Sequence, residues 1–327
     1  MERLVSVIIL NYNQYSYTLD CLRSLKNQTY GNFEVFILDN GSKYKLYLDF
    51  KKKLDEFNSI FKIKLIRSNI NLYFVSGSNK AIKLVNGDYV CLLNYDAIVN
   101  RDFIEKMVEF LDTHPDAGMI TPKIKIYKNK NFLWNTGAFL NFKSAIVIGN
   151  RGYLEYDPHD QKYNKIETIA FAPGTAVFVN KKIIDEIGLM DEIFFMYHED
   201  PDWNLRAQMK GYISYYVPTT TVYHNIPRFI NEKRMIFNHH LFTRNSQILV
   251  WKHAKFIDIL FFYYIFSVMN LTIILLNFLT RKFKSIIIRF NSIWQGFRIG
   301  LKRRTNRSCR KYLISDFYYI KKKIQTF

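Results

Sequence analysis

Cysteine is scarce in this chain of 327 residues, which contains only three. Cys21, Cys91 and Cys309 lie far apart and are odd in number, so they predict neither a disulfide framework nor the ligand spacing of a metal site. The amino terminus has only a short apolar run and no small-residue cleavage site, which predicts a strand rather than a signal peptide. An internal repeat is also lacking. These absences argue against a disulfide-stabilised secreted scaffold and predict a reducing, cytoplasmic setting.

Acidic residues are few as well, because 28 Asp and Glu face 47 Lys and Arg, which gives a formal net charge of +19. This charge is unevenly distributed. Residues 281–327 contain fourteen Lys or Arg and a single acid, Asp316, and therefore account for +13. The part before them is only mildly basic, and 49% of all residues are apolar, which is ample for a sizeable core. The sequence thus predicts a large domain followed by a strongly basic tail.

Apolar runs of strand length alternate with segments of helical spacing along most of the chain. The predicted strands are residues 5–10, 34–38, 64–67, 89–93, 175–179 and 212–217, and the predicted helices are residues 17–25, 45–61, 76–85, 101–113, 181–187 and 202–210. Between residues 123 and 166 the pattern loosens into possible hairpins. Strands and helices joined by short polar turns predict an α/β fold, with a mixed, mostly parallel sheet between helices.

Polar residues follow several of the predicted strands at their carboxyl ends, where ligands bind in sheets of this kind. Asn11, Asp39 and the Asn94-Tyr95-Asp96 turn occupy such positions. A second acidic group, Glu199, Asp200 and Asp202, follows the apolar, strand-like run 193–196. One carboxylate can hold a divalent cation and another can accept a proton from a hydroxyl, which is the chemistry of metal-assisted group transfer.

Several segments together resemble the inverting family-two glycosyltransferases of the GT-A fold, particularly the rhamnosyltransferase-like branch that builds bacterial surface polysaccharides. In chain order they read VSVIILNYNQ, LDNGS, NLYFVSGSNKAI, LLNYDAIV, APGTAVFVNKKIIDEIGLMDEIFFMYHEDPDWNLR and RNSQILVWKHA. The likeness covers roughly residues 4–250, and the order and spacing of the segments are more specific than any one of them. Two positions depart from the family pattern: Asn94 is neutral in the metal motif, and Tyr73 stands where glycine is usual.

The resemblance implies a donor site for a nucleotide sugar and a divalent cation, Mg²⁺ or Mn²⁺. Asp39 would accept the ring N–H of uracil or thymine, although it could also be a turn residue. Asp96 would bind the cation, although an aspartate there could cap the next helix, and His224 would complete the metal shell or be structural. The predicted donor contacts are Asn11, Asp39, Asn79, Asn94 and Asp96.

The resemblance assigns the catalytic base to Asp200, with Glu199 as the alternative. Pro201 suits the first turn of a helix, whose N-terminus would keep Asp200 ionised. Asp202 lies four residues before Arg206 and can pair with it on that helix. Asp202 and Trp203 are the predicted acceptor contacts, with ion pairing and packing as their structural alternatives.

The basic tail is preceded by 21 residues without a charge, 259–279. As a helix this stretch would be about 31 Å long, just enough to span a bilayer core. Basic residues flank it on both sides, and a single span would place the +13 tail outside, against the positive-inside tendency. A re-entrant helix or hairpin avoids this conflict, and residues 286–304 read as a basic amphipathic helix suited to an anionic membrane surface. A buried helical subdomain or a homo-oligomer interface is the alternative.

These observations predict a catalytic domain in residues 1–230 and a helical, basic, membrane-associating region in residues 231–327, at the cytoplasmic face of the inner membrane. The resemblance implies transfer of a sugar, with rhamnose favoured, from a dTDP- or UDP-sugar to a hydroxyl of a lipid-linked glycan. A non-catalytic membrane-bound scaffold that kept a nucleotide-sugar fold is the alternative function. Nucleic-acid binding by the tail is disfavoured by the long uncharged stretch beside it.

Overall fold

A computed structural model describes residues 2–57, 60–225 and 232–305. Their contacts divide the chain into two units. The first contains residues 1–139, 149–195 and 199–226, and the second contains residues 140–148, 196–198 and 227–327. The expected division at residue 230 lies in the stretch 226–231, outside the described residues.

The first half of the main sheet consists of four parallel strands in the order β3 (Lys62–Ser68), β2 (Phe33–Asn40), β1 (Val5–Asn11) and β4 (Tyr89–Asn94). The apolar runs of β1, β2 and β4 are buried, which is why the sequence reads there as nearly continuous hydrophobic segments. The register places Asn11 opposite Asp39 and Leu10 opposite Asn94. The polar residues predicted at these strand ends therefore lie at one edge of the sheet.

The helices of the described residues are α1 (Tyr15–Leu25), α2 (Tyr44–Lys53), α3 (Tyr73–Ile82), α4 (Phe103–Thr113), α5 (Lys181–Ile187), α6 (Glu199–Gln208), α7 (Glu232–His253), α8 (Phe256–Leu279) and α9 (Phe283–Thr305). The strands are β1 (Val5–Asn11), β2 (Phe33–Asn40), β3 (Lys62–Ser68), β4 (Tyr89–Asn94), β5 (Ala97–Val99), β6 (Ala117–Ile126), β7 (Leu133–Asn135), β8 (Ala138–Leu140), β9 (Ile148–Asn150), β10 (Glu167–Thr168), β11 (Ala176–Asn180) and β12 (Ile213–His224). Strands β8 and β9 form a separate two-stranded sheet.

The second half of the main sheet is mixed. Strand β11 runs antiparallel between β4 and β6, and β12 runs parallel to β6. Strand β6 was not predicted, because Pro122, Lys123 and Lys125 interrupt its apolar pattern. Lys123 is nevertheless 1% exposed, and its ammonium donates to Asp160 Oδ1 at 2.8 Å and to the carbonyl of Lys162 at 2.9 Å. A buried cation is tolerated in the strand because these partners replace its water.

Several element boundaries differ from those predicted. The helix expected over residues 45–61 ends at Lys53 and is followed by a 3₁₀ turn, Leu54–Glu56. The strand-like run 193–196 is a 3₁₀ turn over Glu192–Phe194, whose Asp191 side chain accepts from the N–H of Ile193. Because the chain turns there, α6 starts at Glu199 rather than at the predicted residue 202.

In the second unit α9 packs along α7, and two glycines of α9 permit the close approach. A Cβ atom on Gly296 would lie 2.4 Å from Gln247 Nε2, and one on Gly300 would lie 2.3 Å from Trp251 Cδ1. The predicted uncharged helix is present as α8, with Ile259, Phe262 and Phe266 buried on its inner face.

Candidate active site

The donor side of the site begins with Asp39, which is fully buried at the end of β2. One carboxylate oxygen accepts from the hydroxyl of Tyr15 at 2.8 Å and from the N–H of Ser42 at 3.2 Å. The other accepts from Arg67 Nη1 at 3.0 Å, and the Arg67 guanidinium lies 4.6 Å from the Tyr47 ring centroid. Burial raises the pKa of the Tyr15 hydroxyl, which keeps it a donor. Asp39 is therefore a paired carboxylate rather than a simple turn residue.

Asn11 lies opposite Asp39 and is also fully buried. Its carbonyl oxygen accepts from Thr18 Oγ1 at 2.9 Å, so it ties the end of β1 to α1. Asn40, which sequence analysis did not select, accepts from the N–H of Leu72 at 2.8 Å and donates to the carbonyl of Tyr73 at 3.0 Å. These bonds connect the strand ends to the turn before α3.

Tyr73 has a φ of +59°, in the left-handed region that glycine adopts most easily. This explains why the family pattern has glycine there. In this chain the N–H of Tyr73 donates to Asn71 Oδ1 at 2.8 Å, and its carbonyl accepts from Asn40. Local hydrogen bonds thus offset the strain of a non-glycine residue.

Asn79 lies in α3 and is 2% exposed. Its amide donates to the carbonyl of Met190 at 2.9 Å and accepts from the N–H of the same residue at 3.1 Å. This two-way contact joins α3 to the segment that leads to the acidic cluster. The structure therefore shows a connecting role for Asn79, and its contact with a donor stays a prediction.

Asp96 and His224 come together at the ends of two strands. Asp96 follows Asn94, the partly exposed last residue of β4, and His224 ends β12 opposite Ala97. His224 Nε2 lies 3.2 Å from Asp96 Oδ1, with both side chains largely buried. The helix-capping alternative for Asp96 is wrong, because β5 follows it.

This pair fits a divalent cation. Asp96 Oδ1 is buried and has no hydrogen bond among the described residues, although His224 Nε2 lies 3.2 Å away, and imidazole and carboxylate are ligands for Mn²⁺ and related metals. No group of three or more His, Cys, Asp or Glu side chains in the described ranges could hold a metal. A cation held by this pair therefore needs further oxygen ligands, such as those of a diphosphate or water.

Glu199 and Asp200 open α6. Burial and the neighbouring Asp200 carboxylate raise the pKa of Glu199 well above its usual range, and Glu199 Oε2 has no hydrogen-bond partner among the described residues. Burial raises the pKa of Asp200 to about 6, although the N–H groups of Gly174 and of Asp200 itself lower it. Asp200 Oδ2 accepts from the N–H of Gly174 at 3.1 Å. The N-terminus of the helix was expected to favour the ionised form of Asp200. Burial nevertheless has the larger effect and raises the pKa of this carboxyl above its usual value.

The acceptor contacts predicted for Asp202 and Trp203 require correction. Asp202 is fully buried and pairs with Arg206 at 3.1 Å, as its structural alternative predicted. Trp203 is 2% exposed, and its indole N–H donates to the carbonyl of Gly188 at 2.9 Å. Neither side chain is open to an acceptor, because both hold α6 against the turn after α5.

A mixed α/β sheet with carboxylates at its strand ends is the arrangement of GT-A sugar transferases, and the comparison with known families agrees. The model of glycosyl transferase family 2 matches residues 6–188, more than half of the chain. The chain therefore belongs to glycosyl transferase family 2.

Curated relatives are more distant. The amylovoran biosynthesis glycosyltransferase AmsB of Erwinia amylovora is 25% identical over 243 residues, which cover 73% of this chain and 70% of AmsB. An uncharacterized glycosyltransferase of Haemophilus influenzae is 32% identical over 109 residues, and the chain spans only 33% of its length. Agl10 of Haloferax volcanii, a hexosyltransferase of low-salt glycan biosynthesis, is 23% identical over 214 residues, 63% of this chain and 62% of Agl10. These similarities indicate a glycosyltransferase of polysaccharide or glycan biosynthesis.

Solved structures confirm the GT-A-like fold. GalNAc-T7 with UDP, GalNAc and Mn²⁺ superposes with a TM-score of 0.65 at 14% identity, over 80% of this chain and 50% of that one. The mannosyltransferase PcManGT from Pyrobaculum calidifontis, in complex with GDP-Man and Mn²⁺, gives a TM-score of 0.58 at 12% identity, over 100% of this chain and 81% of PcManGT.

The Asp39–Arg67 pair should be important for stability. Replacing Arg67 with Met leaves a buried carboxylate short of its cation, which we expect to lower the free energy of unfolding by about 2–3 kcal/mol. Arg23→Met is the control, because Arg23 pairs with Asp20 on the surface and both side chains are about half exposed; its loss should cost at most about 1 kcal/mol. Denaturant unfolding measures both, and equal losses would contradict the buried pairing.

Proposed function

We propose that this protein is an inverting glycosyltransferase in which Asp200 is the catalytic base. The observation that carries the proposal is the partly exposed Asp200 carboxylate at the start of α6, oriented by the N–H of Gly174. Asp200 would take the proton of an acceptor hydroxyl while its oxygen bonds to the anomeric carbon. The bond from that carbon to the diphosphate breaks on the opposite face, and the diphosphate leaves with its electrons.

Glu199 is less suited to this role. A base must start ionised, and the pKa of Glu199 is raised further from its usual range than that of Asp200. The pKa of Asp200 is about 6, so this carboxyl is mostly ionised at neutral pH, whereas burial and the Asp200 carboxylate raise the pKa of Glu199 well above its usual range. The neighbouring carboxyls thus differ in how readily they ionise, which supports Asp200 over the alternative.

The donor in this proposal is a nucleoside-diphosphate sugar. Asp39 would face the base, and Asp96 with His224 would hold Mg²⁺ or Mn²⁺. When bound, the cation offsets negative charge on the departing diphosphate. The proposal agrees with structural neighbours that contain UDP or GDP-Man together with Mn²⁺. A dTDP- or UDP-sugar, with rhamnose favoured, follows from the family resemblance alone.

The acceptor in this proposal is a lipid-linked glycan met at an anionic membrane surface on the cytoplasmic side. Among the described helices, α8 alone is long and apolar enough to cross a membrane, with a mean hydropathy of 2.2. None of residues 271–290 is buried, and Arg281, Lys282 and Lys284 are exposed at the turn between α8 and α9. The exposed apolar side chains there are Leu271, Leu275, Leu276, Phe278, Leu279, Phe283, Ile287 and Phe290.

Apolar surface beside cations matches a bilayer with anionic headgroups. Three cations at the turn would be costly at the bilayer centre, which favours helices lying in the plane of the membrane surface, or a shallow hairpin, over a hairpin whose turn reaches the midplane. The alternative of a non-catalytic scaffold has no observation in its favour, because Asp39, Asp96 and Asp200 are all present.

Asp200→Asn should lower kcat by about 10²-fold or more, because an amide cannot accept the hydroxyl proton. The donor KM should change little. Asp185→Asn is the control, since Asp185 is an exposed residue paired with Lys181. Steady-state kinetics of nucleoside diphosphate release compare the variants, and activity within a few-fold of wild type would move the role to Glu199.

The same assignment predicts the pH dependence of the wild-type enzyme. Since the pKa of Asp200 is about 6, the base is ionised above this pH and becomes protonated below it. The rate should therefore fall tenfold per pH unit well below pH 6. A rate that stays constant down to pH 4.5 would contradict a base with this pKa.

Leu275→Glu combined with Leu279→Glu should release the protein from membranes, because two charges on the apolar face oppose insertion. Binding to phosphatidylglycerol vesicles should weaken about tenfold or more. Met209→Glu is the control, because Met209 is 77% exposed in the first unit. Vesicle co-sedimentation measures binding, and unchanged sedimentation of the double variant would identify the α8 face as an oligomer interface instead.

A further inference from the structure

The segment directly before α6 has a strained backbone. Phe195, Tyr197 and His198 have φ values of +59°, +69° and +71°, although none of them is glycine. Side chains disfavour this region, so the surrounding structure must hold the segment in place. The residues that hold this segment can influence the acidic pair, because Glu199 and Asp200 follow His198 directly in the sequence.

Asn245 of α7 binds this segment most directly. It is fully buried, and its amide nitrogen donates to the carbonyl of Met196 at 3.0 Å and to the carbonyl of Tyr197 at 2.8 Å. Its carbonyl oxygen accepts from the neighbouring Arg244. One side chain thus binds two successive carbonyl groups, and both its amide nitrogen and its carbonyl oxygen are hydrogen-bonded.

Ser246, the next residue of α7, contacts His198, which follows Met196 and Tyr197 in the segment. Its hydroxyl donates to the carbonyl of Phe242 at 2.9 Å, and its oxygen lies 2.9 Å from His198 Nε2. Burial lowers the pKa of His198 to about 3, so the ring is neutral and its role is structural.

We propose that Asn245 is a positioning residue for the catalytic base. By fixing residues 196 and 197 it sets where α6 begins, and Asp200 is the second residue of that helix. The orientation of the Asp200 carboxylate towards the N–H of Gly174 then depends on a side chain 45 positions later in the sequence. The kinetic consequence rests on the proposed function, whereas the holding of the segment does not.

The test uses the full chain with two substitutions at this position. Asn245→Asp places a carboxylate against two carbonyl oxygens, and Asn245→Ala removes the contacts without repulsion. Gln247→Ala is the matched control, because Gln247 lies on the same helix and is equally buried. The Gln247 amide donates to the carbonyl of Thr243 and accepts from the hydroxyl of Tyr263, away from the strained segment.

Hydrogen exchange followed by mass spectrometry gives a readout independent of activity. We expect peptides covering residues 195–203 to exchange about tenfold faster in both Asn245 variants and at the wild-type rate in Gln247→Ala. Should Asn245→Asp not fold, Asn245→Ala and Ser246→Ala provide the same comparison. Wild-type exchange in the Asn245 variants, or equal loosening in Gln247→Ala, would overturn the proposal.

Kinetics then separate positioning from general stability. Release of nucleoside diphosphate from the most active of a panel of UDP-, dTDP- and GDP-sugars should show kcat lowered about tenfold or more in the Asn245 variants. The donor KM should stay within about twofold, because the donor side is untouched. An equal loss of kcat in Gln247→Ala would overturn the positioning role. A wild type that releases no diphosphate would overturn the proposed function, while the exchange comparison still decides the role of Asn245.

Discussion

Carboxylates buried at the ends of strands and helices have to be paired or protonated, and the first unit is arranged around this requirement. Asp39 is paired with Arg67 and with the Tyr15 hydroxyl, so it stays fixed at the end of β2. Asp96 Oδ1 lies 3.2 Å from His224 Nε2 and has no hydrogen bond among the described residues. Asp200 has backbone N–H contacts that offset only part of the cost of burial, and its pKa rises to about 6. Under the same constraint one carboxylate is fixed by its partners, one is the proposed ligand of a cation, and one has a pKa of about 6, close to neutral pH.

The sequence predicted the parallel half of the sheet because its signals are local. Each of β1, β2 and β4 is a continuous apolar run closed by polar residues, and the structure confirms all three within two residues at each end. Strand β6 could not be found in this way. The ammonium of its buried Lys123 donates to Asp160 and to the carbonyl of Lys162, which come almost forty residues later in the sequence. Only the folded chain brings these groups together.

The candidate site shows the same contrast between residues marked by local sequence patterns and residues that depend on distant partners. Asp96 and Asp200 were found because motifs of a few residues mark them. Arg67 and Asn40 were missed, because their partners come from distant segments. The pairing of Asp202 with Arg206 was predicted from their spacing as the alternative to an acceptor contact, whereas the depth of Asp202 emerges only on packing. The left-handed backbone before α6 has no sequence signature, since none of its residues is glycine. The sequence thus marked the carboxylates of the proposed site better than the residues that orient them.

The central claim is that this site transfers sugar from a nucleotide donor with inversion. The most direct measurement incubates the purified chain with Mn²⁺ and a panel of UDP-, dTDP- and GDP-sugars, and follows nucleoside diphosphate release together with the anomeric configuration of the first-formed product by NMR. The account predicts metal-dependent release from at least one donor and a product whose anomeric configuration is opposite to that of the donor. Retention of configuration, or release no faster than in heat-denatured protein, would contradict it.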